Sequence, residues 1–190
     1  MKKLRLLSLM VLLLTLVLAG CDSDSGGDSG SGGADTWSNI TSLAQANGTW
    51  RGSYSETNTI RNWYTYYSDD YWDPEMQQIF GNMNVKMDID VTYIINASQE
   101  VVSGTERITF TFSGGNINDV WPLIREELAD SGMTVNNSNH SISSMEPFGP
   151  EPISIYDLYG MQINQSGNRV RMPTEVVGLD GNGYIIMTKQ

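Results

Sequence analysis

The residues able to do chemistry are few. The chain has 190 residues with 1 His and 1 Cys. One Cys cannot make an intramolecular disulfide or a multi-cysteine metal site, and one His leaves little for imidazole-centred catalysis or zinc ligation. His140 lies in Asn136-Asn137-Ser138-Asn139-His140-Ser141, a polar run with the composition of an exposed turn. No G-x-S-x-G elbow, G-x-x-x-x-G-K-[ST] phosphate loop or H-E-x-x-H pair occurs. Asp69, Asp70, Asp73 and Glu75 crowd one segment, and a glycan hydrolase needs only two carboxyl groups, but adjacency along the chain does not set two carboxylates on opposite sides of a substrate. No catalytic residue, metal ligand or cofactor is assigned on this basis. Asp180-Gly181-Asn182-Gly183 reads as a hairpin turn whose glycines permit positive φ.

Binding chemistry is better supplied. Residues 63–72 read WYTYYSDDYW, so Trp63, Tyr64, Tyr66, Tyr67, Tyr71 and Trp72 fall in one ten-residue stretch of a chain with 5 Trp, 9 Tyr and 4 Phe. A strand of period two cannot turn all six to one side. Either they cap the core from an irregular loop, or some face a ligand or partner, where Tyr and Trp offer flat apolar faces with a polar handle. The neighbouring carboxylates disfavour an anionic ligand at this segment and favour a neutral glycan, an apolar molecule or a basic protein surface. Nucleic acid is excluded as a partner by charge: 22 Asp and Glu stand against 11 Lys and Arg, whereas binding a polyanion normally needs a basic stripe.

The N-terminus carries an address. Lys2, Lys3 and Arg5 precede an apolar run from Leu6 to Leu18, which ends in Ala19-Gly20. This is the order of parts of a secretory signal peptide, spanning residues 1–20. About 13 apolar residues fall short of the roughly 20 that cross a bilayer as a helix. Leu18-Ala19-Gly20-Cys21 resembles the lipobox of bacterial lipoproteins. The resemblance implies diacylglycerol on the Cys21 thiol, cleavage just before it, and two or three acyl chains holding the protein to a membrane; stable anchoring takes more than one chain. Removing Lys2, Lys3 and Arg5 leaves 8 basic against 22 acidic residues, a net charge of −14, so the lipid must supply the attachment to an anionic surface. The implied location is the bacterial cell envelope, facing the periplasm or the exterior. Asp22 resembles an inner-membrane retention signal.

Residues 22–35, DSDSGGDSGSGGAD, with Cys21 form a tether of 21–35 that cannot bury enough apolar surface to fold. Fourteen such residues span roughly 20 Å. They lack the order of a calcium loop. Residues 36–190 are then expected to make a single β-rich domain. Val85, Met87, Ile89, Val91, Tyr93 and Ile95 alternate with mostly polar residues, and Ile108, Phe110 and Phe112 alternate with Arg107, Thr109 and Thr111, which predicts two strands of a hairpin with one apolar side. Further strands are expected at 48–56, 133–135, 141–145, 153–163, 168–177 and 183–189. A helix is expected over 118–130, capped by Asn118 with Pro122 in its first turn, and a second short one within 36–46. The fold class is mainly β: an antiparallel barrel or strongly curved sheet with one or two short helices, since closure removes exposed edges.

Gly48-Thr49-Trp50, a G-x-W after a short helical lead-in, resembles the opening of lipocalins and related calycin barrels. The resemblance implies that Trp50 plugs the closed end beneath a ligand cavity, with Gly48 allowing close chain entry and a basic side chain over the indole, here Arg169, Arg171 or Lys189. The Thr-Asp-Tyr motif of that family is absent, and the clear helix lies mid-chain. The expectation is a lipid-anchored envelope lipoprotein whose β-rich domain binds a small or extended ligand: a lipid, glycan or peptide. The alternatives are a structural or assembly lipoprotein acting through protein contacts and a carboxylate-based glycan hydrolase.

Overall fold

The structure, a computed structural model, describes residues 36–62, 74–128, 132–174 and 183–190. Cys21, the tether, the aromatic segment 63–72 and most of the Asp180 turn lie outside the described residues. Among the described residues nine strands form one antiparallel sheet: β1 (Trp37–Asn39), β2 (Gly48–Thr59), β3 (Asn84–Asn96), β4 (Val101–Ser113), β5 (Thr134–Asn136), β6 (Ser141–Pro152), β7 (Gln162–Asn164), β8 (Arg169–Pro173) and β9 (Tyr184–Lys189). Their order is β1-β7-β8-β9-β2-β3-β4-β6-β5. The sheet is therefore open, with β1 and β5 at its edges, and of the two architectures expected the closed barrel is not the one formed. No helix among the described residues is long and apolar enough to cross a membrane.

The described chain gathers into two compact units. In the first, made of Ser55–Asp88 and Ile108–Ser144, helices α2 (Pro74–Phe80) and α3 (Ile117–Leu128) accompany the strands. Its buried side chains include Phe80, Met83, Val85, Met87, Phe110, Phe112, Trp121, Ile124 and Ile142. Helix α2 was not expected from the sequence. Helix α3 starts at Ile117, one residue before the proposed Asn118 cap, and the Asn116 carbonyl accepts from the Asp119 and Val120 amides. Pro122 consequently sits in the second turn, where it removes the donor that would bond the Asn118 carbonyl. His140, read as an exposed turn residue, is half-buried: its ring meets Trp121 edge-on at 5.3 Å, and its carbonyl accepts from the Phe112 amide at 3.0 Å.

The second unit holds residues 36–54, Ile89–Arg107 and Met145–Gln190. The helix expected within 36–46 is divided here. Trp37–Asn39 pairs with Asn164–Gln162 as a strand, and only Leu43–Ala46 is helical, α1. Gln45 fixes that start, its Oε1 accepting from the Thr41 and Ser42 amides at 2.7 and 3.2 Å. The strand expected over 153–163 is likewise replaced by a 3-10 turn, Ile155–Leu158, followed by β7. Asp157 makes the turn by accepting the Ser154 amide and hydroxyl on Oδ2, each at 2.7 Å. Along β3 the alternation holds: Ile89, Val91 and Ile95 are buried, while Asp90 and Ile94 are exposed.

Candidate functional site

Two sequence-predicted site residues, Gly48 and Trp50, fall among the described residues, and the structure places them together. Trp50 is 1% exposed. Its indole N–H would be a buried unpaired donor, but it donates to the Ala46 carbonyl at the end of α1, 2.6 Å away. Trp50 stands opposite Lys189 in the β2–β9 ladder, and Lys189 Nζ lies 5.2 Å from the indole centroid. Arg169 and Arg171, the other two candidates for that place, lie over Trp37 at 5.9 and 4.8 Å. Gly48 has φ +131°, and a Cβ there would come within 2.7 Å of Lys189 Cε. The backbone conformation thus calls for glycine, which also leaves room for the lysine stem as it lies here.

One step further along β2, Gly52 stands opposite Met187. A Cβ on Gly52 would meet Met187 Cγ at 2.6 Å and the Ile186 carbonyl at 2.7 Å. The missing side chain lets Met187 lie against β2. In the neighbouring β8–β9 ladder Val170 pairs with Met187 and Met172 with Ile185, all four buried. The period of two sends these side chains to one face of the sheet.

On that face, within the second unit, lies a cavity of about 260 Å³. Trp50, Ile95, Leu158, Met161, Val170 and Met187 are among its apolar walls, and Tyr93, Glu151 and Asp157 supply its polar groups. Methionine suits such a lining because its unbranched thioether adapts to the shape of what it touches. The Tyr93 hydroxyl donates to Glu106 Oε1 at 2.6 Å, and its ring packs 5.4 Å from Phe148. Burial, reinforced by the hydrogen bond and the charge of Glu106, pushes the phenol well above its usual range, so Tyr93 stays neutral. The Ser154 hydrogen bonds, side chain first and then backbone, hold Asp157 below the ordinary carboxylate value, so it stays charged.

The arrangement can take up a small apolar body and position a neutral or cationic end near the carboxylates. Among the described residues no group of three or more His, Cys, Asp or Glu could hold a metal ion. The aromatic residues Trp63, Tyr64, Tyr66, Tyr67, Tyr71 and Trp72, and the lipidation candidate Cys21, lie outside the described residues. Sequence reasoning missed Gly52 and the three cavity methionines, Met161, Met172 and Met187. Their only sequence signal was burial parity with Val170 and Ile185. No protein-family model matches the chain, and no curated protein or solved structure does either.

Proposed function

We propose that the protein is a lipid-anchored lipoprotein of the bacterial cell envelope, held by Cys21 and facing the periplasm or the exterior, whose β-rich part binds a small, largely apolar ligand. The Leu18-Ala19-Gly20-Cys21 sequence supports the anchor. The cavity over Trp50 carries the binding reading. Its 260 Å³ lies just below the roughly 300–1,000 Å³ common for small-molecule sites, which limits the occupant to one acyl chain or one ring system. Glu151 and Asp157 disfavour a carboxylate head, so a neutral or amine-bearing amphiphile fits better than a fatty acid.

The test uses N-phenyl-1-naphthylamine fluorescence with the Cys21→Ser chain. 1-Decanol and decylamine should displace the dye, with decanoate weaker by about tenfold. No dye uptake, or equal displacement by all three, contradicts the reading. Fractionation of cells expressing Cys21→Ser tests the anchor: the protein should leave the membrane fraction, and retention after a high-salt wash would overturn lipid attachment.

A second reading is contact with an envelope protein. Tyr156 and Tyr159, 86% and 89% exposed, flank the Asp157 and Leu158 of the cavity wall and offer the apolar and polar surface typical of interfaces. A stoichiometric partner lost on Tyr156→Ala and Tyr159→Ala would favour this reading over the first.

A further inference from the structure

Charge in the second unit is sharply segregated. Residues 48–54 of β2, with β1, β7, β8 and β9, contain none of the 22 acidic residues of the chain, yet they hold Arg51, Arg169, Arg171 and Lys189, half of the eight basic residues after position 20. Lys189 covers Trp50. The three arginines alternate with the cavity residues Val170, Met172 and Trp50 and so point to the opposite face.

The ladders arrange that face in rows. Gln162, Arg171, Ile186 and Ser53 are successive cross-strand partners, and Thr188 is flanked by Arg169 on one side and Arg51 on the other. At about 4.8 Å between strands and 3.4 Å per residue, the three arginine positions stand roughly 7–12 Å apart. Arg171 is held on three sides. Its guanidinium lies 4.8 Å from the Trp37 ring centroid and 4.4 Å from that of Tyr184, and its Nε donates to Gln162 Oε1 at 2.6 Å. Its Nη groups have no acceptor among the described residues. Exposed Arg51 has no ion pair among them either. A guanidinium fixed in this way presents a fork whose orientation is already set for an oxyanion.

We propose that this face binds an acidic glycan, with Arg171 gripping a carboxylate of the sugar chain and Arg51 meeting a neighbouring acidic group. The amides and hydroxyls of Asn39, Gln162, Ser53 and Thr188 match the hydroxyls of a sugar chain. Among the described residues the face's apolar surface is Ile186, Tyr184 and half-buried Trp37, the last two packed against Arg171, which is little for the desolvated centre of a protein interface. The acidic remainder of the chain repels a polyanion at long range, but at physiological salt that repulsion is screened beyond about 8 Å while direct contacts persist.

The experiment is calorimetric titration of the full chain carrying Cys21→Ser, near physiological ionic strength, with a galacturonic-acid octasaccharide, its methyl-esterified uncharged counterpart, inorganic phosphate and phosphatidylglycerol vesicles. The acidic octasaccharide should bind, the ester at least tenfold more weakly. Arg171→Gln and Arg51→Gln should each weaken binding about tenfold without altering dye uptake by the cavity. Arg51→Gln keeps the test sound should Arg171→Gln disturb the fold, since Arg51 is exposed and packs on no ring among the described residues. Equal binding of acid and ester, unchanged affinity in Arg51→Gln, phosphate binding as tight as the octasaccharide, or binding to vesicles but not to sugar would each overturn the proposal.

Discussion

Lys189 lies across Trp50: the two are cross-strand partners in the β2–β9 ladder, with Nζ 5.2 Å from the indole centroid. The pairing joins the first long strand to the last, and the indole, its N–H tied to the Ala46 carbonyl, lines the cavity.

Trp50→Ala should therefore lower stability by about 3–5 kcal/mol, the usual cost of truncating a buried Trp. Trp37→Ala should cost about 1 kcal/mol, because Trp37 is half-buried on an edge strand and its main contacts are cation–π ones. Urea unfolding of both variants checks the ordering; similar small losses would contradict the placement of Trp50 under the cavity.

Gly48→Ala should destabilise for two separable reasons. Positive φ costs about 1–3 kcal/mol for a residue with a Cβ, and the new methyl would press on Lys189 Cε. In a Lys189→Ala background the second cost disappears and the first remains. A double-mutant cycle should thus show a smaller effect of Gly48→Ala without the lysine, and a fully additive cycle would show that the close approach is not felt.

The state of Tyr93 sets a pH limit. Burial and Glu106 raise its folded-state pKa above the ordinary tyrosine value of about 10. In the unfolded chain the phenol loses its proton near pH 10, while the folded chain keeps it, so the unfolded state binds fewer protons and stability falls as pH rises past 10. Below that pH the contribution is fully present. Tyr93→Phe should flatten the stability profile above pH 10, measured by urea midpoints; an unchanged slope would assign the alkaline loss elsewhere.

Much of the sheet was legible in the sequence because period two is a local signal. Val85 to Ile95 showed it over many residues, and β3 runs through that stretch. What was not legible depends on pairing between distant segments. Trp37–Asn39 is a strand because β7 is there to pair with it, and nothing in three residues announces a partner so far along the chain. Ser154 to Leu158 turns on a side-chain cap, Asp157 on Ser154, that competes locally with strand formation. Trp50 could be picked out by its size and its glycine. Gly52 could not, since its role appears only when Met187 is laid against it. The same holds for the arginine face, where single basic residues of β2 and β8 meet only through the register of β9.

The central claim is that the cavity over Trp50 takes a ligand, and its methionines report on it directly. In the Cys21→Ser chain labelled with ¹³C at methionine methyls and titrated with 1-decanol, Met161, Met172 and Met187, which line the cavity, should shift saturably. Met83 and Met87, buried in the first unit, should not. Absence of saturable shifts at the three cavity methionines, or equal shifts at all five, would contradict the account.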